Sequence, residues 1–190
     1  MGWTWYNATH YKKGKIDRKA ECDSYFEYEN SPYKVLKSSM VGSTYYGAIQ
    51  KDNEVFAVVF LTRLNTKDYY NFGYKDMDET CGPYQFDCPK AILDLLTPTD
   101  NECANEWRRT CNEKRENKKT AFSLNKLPIG TRIKFTLTFN TARNNKGDEI
   151  ILTKMKRTAK TTYWVQGWCY WTRPLMKHVE RDCKIEILEG

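Results

Sequence analysis

From 131 to 140, apolar and polar side chains alternate, with Ile133, Phe135, Leu137 and Phe139 set against Arg132, Lys134, Thr136 and Thr138. A period of two is that of a strand with one face buried. Asn144-Asn145-Lys146-Gly147 supplies a turn into a second strand at 149–155, and 161–166, 168–172 and 184–188 read as further short strands. Several short strands joined by close turns predict a compact β-barrel-like domain of the SH3 or OB kind.

The earlier two thirds of the chain mixes helical and strand patterns. Asp17 stands where its carboxylate can cap a helix over 18–28, which Ser31-Pro32 ends. The runs 34–40, 44–50 and 55–62 are rich in Val, Tyr and Phe, with a hairpin turn at 51–53 and a further strand at 69–74. Together they predict a small antiparallel sheet. Pro89 then opens a second helix behind Asp87 or Cys88, with Ala91, Ile92, Leu93, Leu95 and Leu96 as its buried stripe. Thr99-Asp100-Asn101-Glu102 reads as a capping box for a third helix through Trp107 to about Lys118, whose polar tail at 112–119 runs into a linker. The fold class is therefore α+β: an N-terminal antiparallel sheet with three helices over 1–123, then a small all-β domain over 124–190.

Composition sharpens this division. The segment 1–123 carries 18 Lys plus Arg against 18 Asp plus Glu, whereas 124–190 carries 13 against 6, which is the whole net charge of +7. Such a field draws polyanions to the C-terminal segment without giving sequence selectivity. Thirteen Tyr, eight Phe and six Trp predict a core built on aromatic rings. No run approaches the roughly 20 apolar residues of a membrane span, and the first residues lack the pattern of a secretory signal. The expected compartment is the cytoplasm. Seven cysteines, an odd number with no close CxxC pair, argue against a disulfide framework. Cys81, Cys88, Cys103 and Cys111 have gaps that match no common zinc knuckle, so buried thiols are expected, with no metal and no cofactor.

Candidate binding chemistry concentrates in the last third. Arg132 and Lys134 lie on the polar side of the alternating strand. Lys154, Lys156, Arg157 and Lys160 lead into Tyr163-Trp164-Val165-Gln166-Gly167-Trp168-Cys169-Tyr170-Trp171-Thr172-Arg173. Cations neutralise phosphates and rings stack on bases, so Trp164, Trp168, Trp171 and Arg173 join those lysines and arginines as candidate contacts to RNA, DNA or a protein partner. The competing expectation is that the same aromatics form a small core beside a solvated basic loop. On the binding reading, changing Lys154, Lys156, Arg157 and Lys160 to Ala weakens function and leaves folding intact.

Evidence for catalysis is thin. His10 and His178 lie in no recognisable catalytic motif, and there is no P-loop, GxGxxG, GxSxG, HExxH or deaminase pattern. The stretch 71–83 places Asp76, Asp78 and Glu79 close to Cys81, either as a polar loop or as an acidic contact for a basic partner or a divalent metal. The enzymatic alternative is a metal-dependent nuclease or nucleotide-modifying enzyme using the Asp76 to Cys81 loop.

Trp5-Tyr6-Asn7-Ala8-Thr9-His10-Tyr11, Gly14-Lys15-Ile16-Asp17-Arg18-Lys19-Ala20-Glu21, the stretch 35–46, the stretch 68–80 and Leu95-Leu96-Thr97-Pro98-Thr99-Asp100 carry a resemblance. Over most of 1–119 the chain resembles a family of uncharacterised proteins carried by Firmicutes phages, plasmids and conjugative elements. The resemblance implies a mobile-element accessory protein that acts by binding, with an anti-defence inhibitor as the leading expectation. The implied target is a Cas9-type nuclease and its guide RNA or DNA, which hold nucleic acid in positively charged channels. The alternative within the binding class is a plain nucleic-acid-binding accessory protein of a phage or plasmid.

Overall fold

A computed structural model describes residues 2–65, 70–156, 158, 162–179 and 183–188. It is α+β throughout, and the chain divides into two compact units, 1–112 and 113–190, where the sequence placed the boundary at 123/124.

In the first unit five antiparallel strands form one sheet in the order β1-β7-β6-β5-β4. They are β1 (Thr4–Tyr6), β4 (Tyr33–Val41), β5 (Thr44–Lys51), β6 (Glu54–Leu64) and β7 (Phe72–Asp78). The unbroken apolar run in β6 has a physical reason, because both faces of the sheet are covered. Val55, Ala57 and Val59 face one cluster with Ile92, Trp107 and Cys111, while Val58 and Phe60 face another with Cys22, Phe26 and Phe72. A two-stranded hairpin, β2 (Tyr11–Lys12) and β3 (Lys15–Ile16), precedes helix α1 (Arg18–Ser24). Asp17 caps that helix as expected, accepting from the Ala20 N–H at 3.2 Å, but the helix stops four residues short of position 28.

The strand expected at 69–74 lies instead at Phe72–Asp78, and Tyr69 falls outside the described residues. Its Asp76 and Asp78 pair in register with Phe60 and Val58, so the acidic stretch is the end of a strand and not a loop. Helix α2 is a short turn at Lys90–Leu93. Helix α3 runs for 25 residues, Glu102–Lys126, through the segment read as a linker. Its cap is Asn101, whose side chain accepts from the Ala104 N–H at 2.9 Å, and not Thr99. The polar tail stays helical because Glu, Lys and Arg are good helix formers. Pairs three apart, such as Glu116 with Lys119 at 2.7 Å, add support.

The second unit holds the other sheet, in the order β11-β10-β9-β8-β12. Its strands are β8 (Arg132–Thr136), β9 (Glu149–Lys156), β10 (Thr162–Gln166), β11 (Cys169–Tyr170) and β12 (Ile185–Leu188). The sheet is open, not closed into a barrel. A fourth helix, α4 (Thr172–Val179), follows β11 and supplies Leu175 and Val179 to the core under the sheet. Leu124 near the end of α3 joins the same core. A helix on one face takes the place of barrel closure as the way to bury the inward side chains.

Candidate nucleic-acid interface

Register decides which side chains of the C-terminal sheet share a face. Ile150, Leu152, Ile133, Phe135 and Trp164 are directed inward and are buried in one cluster with Leu137, Trp171 and Leu175. The opposite face carries a cross-strand row. Tyr170 pairs with Val165, Val165 with Thr153, Thr153 with Arg132, and Arg132 with Leu188. Tyr163 opposite Met155 and Ile151 opposite Lys134 flank that row. Tyr170 is 68% exposed, its ring is 5.0 Å from that of Tyr163, and Met155 and Ile151 are also exposed. Rings thus stand at one end of an open face, with Arg132 and Lys134 two strands from Tyr163 and three from Tyr170, about 10 and about 14 Å at ordinary strand spacing.

The β10–β11 hairpin turns at Gly167-Trp168. Gly167 has φ 54, the left-handed region that glycine enters without steric penalty. The turn holds Trp168 at 99% exposure. Beside it opens a concavity of about 380 Å³, lined by Arg143, Asn144, Gln166, Tyr170, Trp171 and Pro174. Arg143 Nη1 lies 3.6 Å from the Cys169 sulfur as its donor. The pocket's mixture of ring faces, a guanidinium and amides offers stacking surface and base-edge donors together.

The basic residues divide sharply. Arg132, Lys156 and Arg173 are exposed, and among the described residues no carboxylate pairs with them. Lys134 is held between Glu186 at 3.0 Å and Glu149 at 3.5 Å. The Glu186 hydrogen bond, and then the Glu149 charge, raise its ammonium above the ordinary lysine value. Arg157 and Lys160 lie outside the described residues.

Lys154 is a correction. It is 2% exposed, on the inward face that its spacing from Ile150 and Leu152 dictates, and its ammonium donates to Leu127 O at 2.6 Å and Leu124 O at 3.4 Å. A cation at the carboxyl end of α3 answers the carbonyls of its last turn, where Leu124 O also accepts from the Leu127 N–H at 3.3 Å. Burial holds its pKa below the usual lysine value, so the folded state sheds this proton before the unfolded chain does and stability rises with pH between the lowered value and the usual one. Lys154→Ala removes charged hydrogen bonds from a dry site and is expected to lower stability by about 1.5 to 3 kcal/mol, read by urea denaturation. The fourfold Ala change at Lys154, Lys156, Arg157 and Lys160 therefore does not leave folding intact. A loss within a few tenths of a kcal/mol would return Lys154 to the surface set.

Trp164 and Trp171 are likewise core residues, 1% and 7% exposed; Trp164 is not an available contact, and Trp171 offers only the part that lines the concavity. The acidic trio is also placed. Asp76 lies half-buried on β7. The Asp78 carboxylate accepts from the backbone N–H of Thr80 at 2.8 Å and of Cys81 at 3.2 Å, capping a short 3-10 turn. Glu79 is buried, accepting from Arg108 Nε and Nη2, both at 2.6 Å, and from the Ala57 N–H at 3.1 Å. Two of the three carboxylates are thus engaged by the fold. Cys88 and Cys111 pack in the core with Ile92 and Trp107, whereas Cys81 and Cys103 are exposed. The described residues hold no group of three or more His, Cys, Asp or Glu side chains able to hold a metal ion. They also hold no helix long and apolar enough to cross a membrane.

Residues 98–170 match the model of a family described as a domain of unknown function, DUF6927. The match takes in α3 and the strands β8 to β11 and stops before α4 and β12. Neither the curated proteins nor the solved structures contain a match.

Proposed function

We propose that this protein acts by binding rather than by chemistry, and that its 113–190 unit holds a single-stranded nucleic acid across the open sheet face. The observation that carries the reading is the outward row Tyr170–Val165–Thr153–Arg132, exposed at its two ends and half-buried between them, with Trp168 fully in water at the adjoining hairpin tip. Burying such rings in a core is the ordinary outcome, and a sheet that keeps them outside, on the face that also carries the Arg132 guanidinium, suits stacking on bases and pairing with phosphates. The concavity beside Arg143 and Gln166 is where a splayed base would lie. Charge points the same way: 113–190 carries 17 Lys plus Arg against 8 Asp plus Glu, and 1–112 carries 14 against 16.

The resemblance to mobile-element proteins narrows the setting. In that setting the strand belongs to a host defence ribonucleoprotein, a Cas9-type nuclease with its guide RNA or DNA, and the protein is an anti-defence inhibitor. A cleavage assay with such a nuclease tests this narrower reading. Undiminished cleavage at saturating protein would leave only the plain nucleic-acid-binding accessory.

The binding reading has its own test. Trp168→Ala with Tyr170→Ala removes two exposed rings, so thermal unfolding is expected to stay unchanged. Affinity for a labelled 20-nucleotide single strand, by fluorescence anisotropy, is expected to fall at least about tenfold, since each stacked ring is worth about 1 to 3 kcal/mol. Equal affinity of the double variant and the wild type would reject the open face as the interface.

A further inference from the structure

The near-neutral charge of the first unit conceals a local cluster. Lys12, Lys13, Lys15, Arg18 and Lys19 fall within eight residues, on the β2–β3 hairpin and the start of α1. With Met40 they line a concavity of about 500 Å³ in which Asp17 is the lone acidic wall residue. The Asp17 carboxylate is already used as the α1 cap, accepting from the Ala20 N–H. Lys19 pairs with Asp23 at 2.6 Å, and Arg18 reaches Thr62 Oγ1 at 3.4 Å. Lys12, Lys13 and Lys15 are exposed, and among the described residues no carboxylate pairs with any of them.

Two features of the hairpin oppose its own stability. Lys12 and Lys15 are direct cross-strand partners, an arrangement in which like charges repel. Lys13 and Gly14 occupy the turn with φ 52 and φ 72, so a lysine holds a left-handed position where Asn is the favoured residue. Local disagreements of this kind gather where a ligand compensates them. An anion seated among the three ammonium groups turns their repulsion into shared attraction.

We infer that the 12–15 hairpin is a phosphate-binding surface, in which Lys12, Lys13 and Lys15 take successive backbone phosphates of a single-stranded nucleic acid. The phosphate chemistry follows from the hairpin alone, and the choice of a nucleic acid as its source rests on the function proposed above. The site is separate from the aromatic sheet face and supplies charge without ring stacking.

The test uses the full-length chain and two probes, a labelled 20-nucleotide single-stranded DNA and inorganic triphosphate. The variant K12Q/K13N/K15Q removes three charges while placing the preferred Asn-Gly pair in the turn, so its melting temperature is expected to be at or above that of the wild type. The slope of log affinity for DNA against log salt is expected to become shallower by about 2, since each single-strand phosphate contact contributes about 0.7. K12R/K15R, which keeps all three charges, is expected to keep the wild-type slope. Loss of the Trp168 and Tyr170 rings should change affinity with the slope intact, which separates the two sites. An unchanged slope in K12Q/K13N/K15Q overturns the hairpin site and leaves the sheet reading standing. Triphosphate bound by the wild type and lost in the variant, with no DNA bound by either, keeps the phosphate site and rejects the sheet reading. Should the triple variant fail to fold, K13N alone is read instead, with an expected slope change of about 0.7.

Discussion

Glu79→Ala is expected to destabilise the 1–112 unit by about 3 to 5 kcal/mol, because it leaves the Arg108 guanidinium half-buried with its paired carboxylate gone. The loss reaches further than the ion pair. The Ala57 N–H on the central strand β6 loses its acceptor, and Arg108 Nη1, which donates to Thr97 O at 2.6 Å, loses the partner that fixes its direction. Glu79 therefore ties the end of β7 to the middle of β6 and to α3 in one network, within which deletions are not additive. Urea denaturation followed by the fluorescence of Trp107, which is buried close by in the same core, measures the effect. A change under about 1 kcal/mol would mean that the pair contributes little beyond an exposed one, and Glu79 would again be a candidate contact residue. Neutralising the acidic trio as a block consequently tests stability more than recognition, and Asp76 is the member whose replacement can be read for binding.

The second large effect is Trp164→Ala, at about 3 to 5 kcal/mol of stability in the 113–190 unit. Trp164 is buried in one cluster with Ile133, Phe135, Leu152, Trp171 and Leu175, and its removal opens a cavity that close-packed neighbours on two strands and α4 cannot close. Trp168, four residues on, has no such packing to lose. Melting curves of the two single variants, compared side by side, check the assignment. A Trp164→Ala protein as stable as the wild type would mean that the inward face of the sheet is not the core described.

Much of this was legible in the chain. The alternation through Ile133, Phe135 and Leu137 located β8, and the apolar run after Glu54 located β6, although that both its faces are covered came only with the structure. The same period of two also placed Lys154 inward with Ile150 and Leu152, a signal that its membership of a basic run concealed. What the pattern could not supply was its partner, since Leu124 and Leu127 lie about thirty residues earlier at a helix end whose position depended on how far α3 extends. The helix α4 was missed although Leu175, His178 and Val179 follow Thr172-Arg173-Pro174 at helical spacing. Eight residues between two short strands resemble a loop until their apolar side is seen to cover a core. The outward row from Tyr170 to Leu188 was beyond reach for another reason. It depends on the register of five strands, and a shift of one residue in any of them would send its side chain to the other face.

The fully exposed indole at position 168 also makes the protein its own instrument. Of the six tryptophans, Trp107, Trp164 and Trp171 are buried and Trp3 and Trp5 half-buried, so Trp168 alone faces bulk water. An indole in water emits further to the red than one in apolar packing, and dissolved quenchers reach it freely. Occupancy of the hairpin tip is thus written into the red edge of the intrinsic emission, with no dye attached.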